Sequence, residues 1–416
     1  MSSISLSISP AASAKSAASL TTADKRPYRL SSIDMIRGLV IVIMAIDHVR
    51  DNFFFGALQD PATDPNVTSA VFATRWITHF CAPVFVLLAG TSAGLMATRK
   101  SGRELGRFLF IRGTWLIFVE MVLISTAISF APRGIPEIGG QVLIVMQVIW
   151  AIGASMIALS LLQWMGRRTC LVLGLAIVAG HNLLDGFWPA ASLLDEQWPL
   201  WVSLQAQMAI RAGPFLFLFA YPLAAWIGVM LLGFGASEVF AWPHERRNRI
   251  LLRAGFAMTA AFLLLRAFDG YGDPNHWQWQ QAGPETTIID FFNTTKYPPS
   301  LLFLLMTLGP AAMLCGVADR IAGVVKDSLV MFGRVPFAFY VAHFYLIHTL
   351  SVILGLLQGF SFSQMMTVFL FYPAGYGVGL TGVYVAWILV IAILYPYCRW
   401  VAGVKAGRRD WWLSYL

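Results

Sequence analysis

The sequence predicts an all-α protein, a polytopic transmembrane helical bundle of about ten spans. Hydrophobic residues make up 58% of the 416 positions and charged residues only 12%, which is too little charge to cover a soluble protein of this length. The mean hydropathy of +0.68 agrees with this. Apolar runs long enough to cross a bilayer recur along the chain after residue 30. We therefore expect one transmembrane domain over 31–416.

Each long apolar run defines one predicted span. The runs cover 33–56, 75–97, 107–130, 139–163, 169–187, 213–237, 250–268, 299–318, 328–357 and 376–401. The count rises to eleven if 361–372 also enters the membrane. The segment 1–30 is rich in Ser and Ala and has no apolar core of signal-peptide length. We interpret it as a disordered cytoplasmic tail.

Basic residues set the predicted orientation. The net charge of +8 would suit a nucleic-acid partner, but most Lys and Arg lie in short loops between apolar runs. That distribution is typical of membrane topology and speaks against nucleic acid. Because the bias favours one side, both termini are predicted to be cytoplasmic in a multi-pass protein of the bacterial cytoplasmic (inner) membrane.

The first predicted span, "SSIDMIRGLVIVIMAIDHVRD", carries ionisable groups at both ends. Asp34 and Arg37 lie near its inner end, and Asp47 and His48 near its outer end. Charged groups inside a membrane usually face a cavity or each other. Asp34 and Arg37 can also be read as a local ion pair at the helix start.

Further polar side chains are predicted at the same outer level. His79, Lys296 and Tyr297 map there, and His343 lies deeper in its span. Histidine moves protons near neutral pH more readily than other side chains, although each one alone is more often structural. Asp47 or Asp185 is a candidate to orient His48. A metal site at His79, His181 and His343 is not favoured by their spacing, and no metal is expected.

The inner side is basic instead. The stretch "ATRKSGRELGRFLFIRG" includes Arg107 and Arg112. Such residues chiefly set topology. Together with Arg37 and Asp34, this inner rim would also suit a phosphate-bearing cytoplasmic ligand.

Several motifs resemble one known family. The Arg37 to His48 stretch "RGLVIVIMAIDH" resembles the first-span pattern of membrane acyltransferases that modify envelope sugars. The segments "HFCAPVFVLLAGTSAG", "TKYPPSLLFLLMTLGP", "FGRVPFAFYVAHFYLIH" and "WWLSYL" resemble the heparan-α-glucosaminide N-acetyltransferase catalytic-domain family, in particular its bacterial branch. The resemblance extends over the chain from residue 29 onward.

The resemblance implies an acyltransferase that moves an acyl group, usually acetyl, from cytoplasmic acyl-CoA to a sugar or envelope glycan across the membrane. Acetyl-CoA would be the donor and Arg37 a donor contact. Because the loop "NFFFGALQDPATDPNVTS" contains no histidine, the catalytic role falls to His48 or His79. Lys296, Tyr297 or His79 would stabilise the oxyanion. The family also implies membrane lipid as the surroundings and a homodimer as an option.

Two other classes of function fit the same polar residues. A proton-coupled transporter or exporter of an envelope precursor would use the His and Asp groups as a relay. An accessory membrane subunit would use them only to hold helices together. The chain has no evident internal repeat, which disfavours the transporter. The number of ionisable groups at one depth disfavours the subunit.

Overall fold

A computed structural model describes residues 31–57, 68–194, 196–408 and 410. The predicted tail 1–30 lies outside these residues. Helices make up most of the described chain. In order, they are α1 Ser31–Phe53, α2 Ser69–Thr78, α3 Cys81–Met96, α4 Gly102–Val119, α5 Ser125–Ser129, α6 Val148–Leu162, α7 Arg167–Gly180, α8 Leu223–Gly235, α9 His244–Phe268, α10 Pro284–Phe292, α11 Leu301–Val317, α12 Val324–Arg334, α13 Pro336–Leu357, α14 Phe362–Met365 and α15 Leu380–Gly407.

Eight helical stretches of the described chain are long and apolar enough to cross a membrane. They are Ser69–Met96, Gly102–Ser129, Val148–Met165, Leu223–Ala241, His244–Phe268, Leu301–Arg320, Pro336–Leu357 and Leu380–Gly407. The protein is thus a multi-pass, mostly helical membrane protein, but the predicted count of about ten is not confirmed. Helix α1 has 23 residues but carries charges at both ends, and α7 has only 14.

A small sheet corrects two of the predicted spans. Three strands, β1 Val142–Met146, β2 Met208–Ala212 and β3 Phe215–Phe219, form a sheet of order β1-β3-β2. Strand β1 is parallel to β3, and β2 is antiparallel to β3. The predicted spans 139–163 and 213–237 therefore each begin with a strand, and the helices start only at Val148 and Leu223.

Two predictions near the C-terminal end also change. The run 328–357 is not one helix, because the chain breaks at Val335 between α12 and α13 and Pro336 begins the second helix. Proline is well tolerated at a first helical position, where its missing N–H would have no partner. The run 361–372 forms only the short helix α14 and a 3-10 turn at Phe369–Phe371.

Two glycines let α1 and α12 touch backbone to backbone. A Cβ at Gly38 would overlap the carbonyl oxygen of Leu329, and a Cβ at Gly333 would overlap that of Asp34. Every other residue type carries a Cβ, which would prevent this close approach. The contact brings Arg334, the last residue of α12, beside the Ser31 end of α1.

The Glu120 carboxylate caps the start of the next helix, α6. Glu120 begins a π-helical turn, Glu120–Ile124, and its carboxylate accepts a hydrogen bond from the Trp150 backbone N–H at 2.9 Å. The first N–H groups of a helix have no partner within the helix, so this buried carboxylate satisfies one of them. Gln147 precedes α6 as its N-cap residue.

Candidate active site

One cavity lies at the Phe53 end of α1, and we call it the His48 cavity. It encloses about 300 Å³. Strands β1 and β3 form one wall with Leu143, Val145 and Leu218. Side chains alternate between the faces of a strand, so Leu143 and Val145 point to the same side. The polar lining comes from Asp47, His48, Asp51, Asn52, Thr78, Gln147, Gln207, Tyr221, Lys296, Tyr297 and His348.

The His48 side chain lies at this cavity with both ring nitrogens available. Its ring packs 4.4 Å from the Phe344 ring and 5.1 Å from the His343 ring, measured between centroids. Within the described residues, no group forms a hydrogen bond with either nitrogen of His48. A histidine in this state can accept a proton from a molecule in the cavity.

The Asp47 carboxylate faces cations and not the His48 ring. Its oxygens lie 2.9 Å from the Arg50 guanidinium and 3.6 Å from the Lys296 ammonium. Arg50 also pairs with Asp51 at 2.8 Å. Two carboxylates and two cations thus form one compact group, which we call the Asp47 charge cluster (Asp47, Arg50, Asp51 and Lys296).

Lys296 lies among groups that favour its charged form. Burial of its ammonium acts to lower its pKa, but the neighbouring Tyr297 and Asp47 outweigh that and raise the pKa above its ordinary value. The Tyr297 hydroxyl donates to the Tyr221 hydroxyl at 3.4 Å. The short loop before α11 therefore brings both predicted residues, Lys296 and Tyr297, to the His48 cavity.

His79 and His343 lie beside the His48 cavity but not in its lining. His79 is buried against Phe303, with 5.3 Å between ring centroids. His343 is fully buried, and its Nδ1 lies 2.5 Å from the Tyr340 carbonyl oxygen. Of the three predicted histidines, only His48 is placed to meet a ligand directly.

Asp185, proposed to orient His48, and His181, considered for a metal site, form their hydrogen bonds elsewhere. Asp185 accepts hydrogen bonds from Asn182 and Gln205, so the suggestion that it orients His48 is wrong. His181 is buried and contacts the Pro299 carbonyl oxygen at 2.9 Å. Across the described ranges, no group of three or more His, Cys, Asp and Glu side chains gathers into a metal-ligand cluster.

A second cavity lies at the Ser31 end of α1, and we call it the Arg37 cavity. It encloses about 470 Å³ and its lining includes Asp34, Arg37, Arg112, Arg334 and Lys405. The predicted ion pair between Asp34 and Arg37 is present at 3.4 Å. Four cations and one carboxylate thus line a space whose other walls are mostly apolar.

The cations of the Arg37 cavity come from four different helices. Arg37 on α1 donates to the Ser92 hydroxyl and to the Leu88 carbonyl oxygen, and the Arg112 guanidinium on α4 lies 5.5 Å from the centroid of the Phe337 ring. Arg107, also predicted on the inner rim, is exposed and does not line the cavity. Sequence reasoning missed Arg334 and Lys405. Their position at the ends of apolar runs marked them only as topology signals.

The two cavities meet at the middle of α1. Phe85 and Val148 line both of them. Arg37 and His48 are eleven residues apart on one helix, which places them about 16 Å apart along its axis. One helix therefore connects a cationic cavity at one end with a histidine-bearing cavity at the other.

Comparison with known proteins gives one family match. Residues 29–266, more than half of the chain, match the family described as "Heparan-alpha-glucosaminide N-acetyltransferase, catalytic". The match includes Arg37, Asp47, His48 and Arg112, while Lys296, Arg334 and Lys405 lie beyond it. No curated protein matches the chain.

Proposed function

Because the chain belongs to the heparan-alpha-glucosaminide N-acetyltransferase catalytic family, a membrane acetyltransferase family, we propose that it transfers an acetyl group through the membrane. The donor is acetyl-CoA, bound at the Arg37 cavity from the cytoplasm. The acceptor is an amine or hydroxyl of a sugar or envelope glycan, bound at the His48 cavity on the other side. The transmembrane part of the chain forms one domain, and this domain lies in the bacterial cytoplasmic membrane.

The observation that carries this proposal is the pair of cavities at the two ends of α1. They differ in chemistry, since one is lined by four cations and one carboxylate, and the other by His48, neutral polar groups and the charge-balanced residues Asp47, Asp51 and Lys296. They share the residues Phe85 and Val148. A donor and an acceptor held at the two ends can therefore meet near the middle of the helix.

The Arg37 cavity suits the donor. CoA carries phosphate groups, and guanidinium and ammonium groups bind phosphate through charge-assisted hydrogen bonds. The apolar walls between Phe85 and Phe337 suit its uncharged arm. The family match supports acetyl as the group transferred. The excess of Lys and Arg on this side of the predicted bundle supports its assignment to the cytoplasm, with both termini there.

The His48 cavity suits the transfer step. His48 takes the proton from the acceptor as its nitrogen or oxygen attacks the thioester carbonyl carbon. The carbon–sulfur bond then breaks, and His48 returns the proton to the departing sulfur. Lys296 and Tyr297, at the same cavity, stabilise the negative charge that develops on the carbonyl oxygen.

The test uses the purified full-length protein in detergent with radiolabelled acetyl-CoA and sugar acceptors. The substitution His48→Ala should reduce acceptor-dependent CoA release at least a hundredfold, because a general base contributes about 10²–10⁴-fold. The control is His276→Ala, a histidine with an exposed side chain paired to Asp269. It should keep full activity. Full activity in a well-folded His48→Ala variant would contradict the mechanism, and failure to bind acetyl-CoA would contradict the function.

A further inference from the structure

We propose that the acceptor group is a sugar hydroxyl and not an amine, so that the product is an O-acyl ester. This inference rests on the proposed function and narrows it. It differs from the N-acetyl transfer that gives the family its name, and it comes from the charges around the His48 cavity.

Each carboxylate at the His48 cavity already has a cationic partner. Asp47 lies 2.9 Å from Arg50 and 3.6 Å from Lys296, and Asp51 lies 2.8 Å from Arg50. The Asp47 charge cluster therefore balances two negative charges with two positive ones. Within the described residues, no other Asp or Glu lines this cavity.

An amine acceptor would meet an unfavourable field here. The amine of an amino sugar lies beside electron-withdrawing oxygens and resembles an α-amino group, whose pKa is about 7.7–8.0, so a large share of it arrives as a cation near neutral pH. A buried cation needs an available anion. Both carboxylates of the cavity already pair with cations, and the Lys296 ammonium in its wall repels a second positive charge.

A hydroxyl acceptor meets the opposite situation. It carries no charge and needs only neutral hydrogen-bonding partners, since a hydroxyl both donates and accepts. The walls supply such groups in Asn52, Gln147, Gln207, Tyr221 and Tyr297. The volume of about 300 Å³ is at the small end of ligand sites and suits one sugar ring.

The reaction on a hydroxyl balances without another reagent. His48 takes the hydroxyl proton while the oxygen forms a bond to the carbonyl carbon of the thioester. The carbon–sulfur bond breaks, and the proton passes from His48 to sulfur to give the free thiol of CoA. The products are an acetyl ester of the sugar and CoA.

The test compares two acceptors with radiolabelled acetyl-CoA and the full-length protein in detergent. Glucosamine offers an amine and hydroxyls, whereas N-acetylglucosamine offers hydroxyls alone. Hydroxylamine at mild alkaline pH removes label from an ester but not from an amide. We expect His48-dependent transfer to both sugars, faster to N-acetylglucosamine, with the label removed by hydroxylamine.

Label that resists hydroxylamine and appears only on glucosamine would overturn this inference while leaving the proposed function intact. The absence of any His48-dependent CoA release would overturn the proposed function, and the inference with it. A variant gives a second measurement. Lys296→Met removes the repelling cation, so the rate with glucosamine relative to N-acetylglucosamine should rise about tenfold. An unchanged ratio would show that the Lys296 charge does not select the acceptor.

Discussion

The Lys296 ammonium, in the loop before α11, lies 3.6 Å from the Asp47 carboxylate on α1. Both side chains are mostly buried, with 15% and 18% of their surface exposed. The sequence separates them by about 250 positions, so this pair fixes a loop from one half of the chain onto the first helix of the other. Removing one partner leaves an incompletely compensated charge in a buried place.

We expect Asp47→Asn and Lys296→Met to be coupled. Each single variant should lower the free energy of unfolding, and the double variant should lose about 2 kcal/mol less than the sum of the two. The measurement is a double-mutant cycle on denaturant unfolding of the protein in detergent. The control is the single-contact pair Arg167 and Glu238, 3.3 Å apart with Glu238 exposed, which should show a coupling of about 0.5 kcal/mol or less. Equal coupling in the two pairs would contradict the buried-pair interpretation.

The Arg37 cavity gives a prediction about donor affinity. Arg112 and Arg334 line it, and within the described residues the buried Nε of Arg334 has no hydrogen-bond partner. If the cavity binds the phosphates of CoA, Arg112→Ala and Arg334→Ala should each raise the KM for acetyl-CoA about tenfold, because a hydrogen bond to a charged group contributes about 1.5–3 kcal/mol. The kcat should change little, since this binding is equal in the ground and transition states.

Arg107 provides the matched control for Arg112. Both lie on α4, but Arg107 is exposed and outside the cavity. Arg107→Ala should leave the KM for acetyl-CoA within about twofold, because it removes only an exposed charge. Steady-state kinetics over a range of acetyl-CoA concentrations measures both parameters. A similar increase in the Arg107→Ala variant would indicate a general effect of surface charge.

The multi-pass helical architecture could be predicted from the sequence, because long apolar runs are typical of membrane-spanning helices. The functional interest of the polar ends of α1 could also be predicted, because ionisable residues in an apolar run require a partner or a cavity. The strands β1 and β3 could not be predicted from the sequence. They lie within apolar runs, and a buried strand of five residues cannot be distinguished from a helix segment by its pattern.

The composition of the two cavities could be predicted only in part. Arg37 and His48 share one helix, so their relation follows from helix geometry alone. Arg334 and Lys405 reach the Arg37 cavity only because α12 and α15 pack near α1, and sequence spacing does not encode that packing. Asp185 failed as a partner for His48 because residues predicted at one depth of a bundle can lie on different sides of it.

The close contact of α1 and α12 predicts a sharp effect of a single methyl group. Gly333→Ala would place a Cβ on the Asp34 carbonyl oxygen, so the helices must separate. We expect a loss of about 1–3 kcal/mol of unfolding free energy from this overpacking. Arg334, the next residue, should move with its helix and donor affinity should fall as well.

The control for Gly333→Ala is Gly403→Ala on α15. A Cβ at Gly403 would meet no atom within 4 Å, so this substitution should be neutral or slightly stabilising. Thermal unfolding in detergent measures the stability of both variants, and acetyl-CoA titration measures donor binding. If Gly333→Ala were as stable as Gly403→Ala, the close contact would not be required for the fold.

Asp273 positions the loop that carries Lys296. Its carboxylate is buried and accepts hydrogen bonds from the Thr295 backbone N–H at 2.9 Å, the Thr295 hydroxyl at 2.7 Å and the Ser300 hydroxyl at 2.5 Å. It also accepts from the Asn275 backbone N–H at 2.8 Å. These bonds hold both ends of the segment 295–300. Asp273→Asn should therefore reduce kcat about tenfold, because it converts one charged acceptor into a donor among these groups.

A double-mutant experiment separates positioning from general destabilisation. If Asp273 acts through Lys296, then Asp273→Asn should cause little further loss of kcat in a Lys296→Met background, since residues that work as a unit are not additive. Thermal unfolding of the same variants shows whether the fold is retained. A full tenfold further loss in that background would instead assign Asp273 to the stability of the fold, independent of the Lys296 side chain.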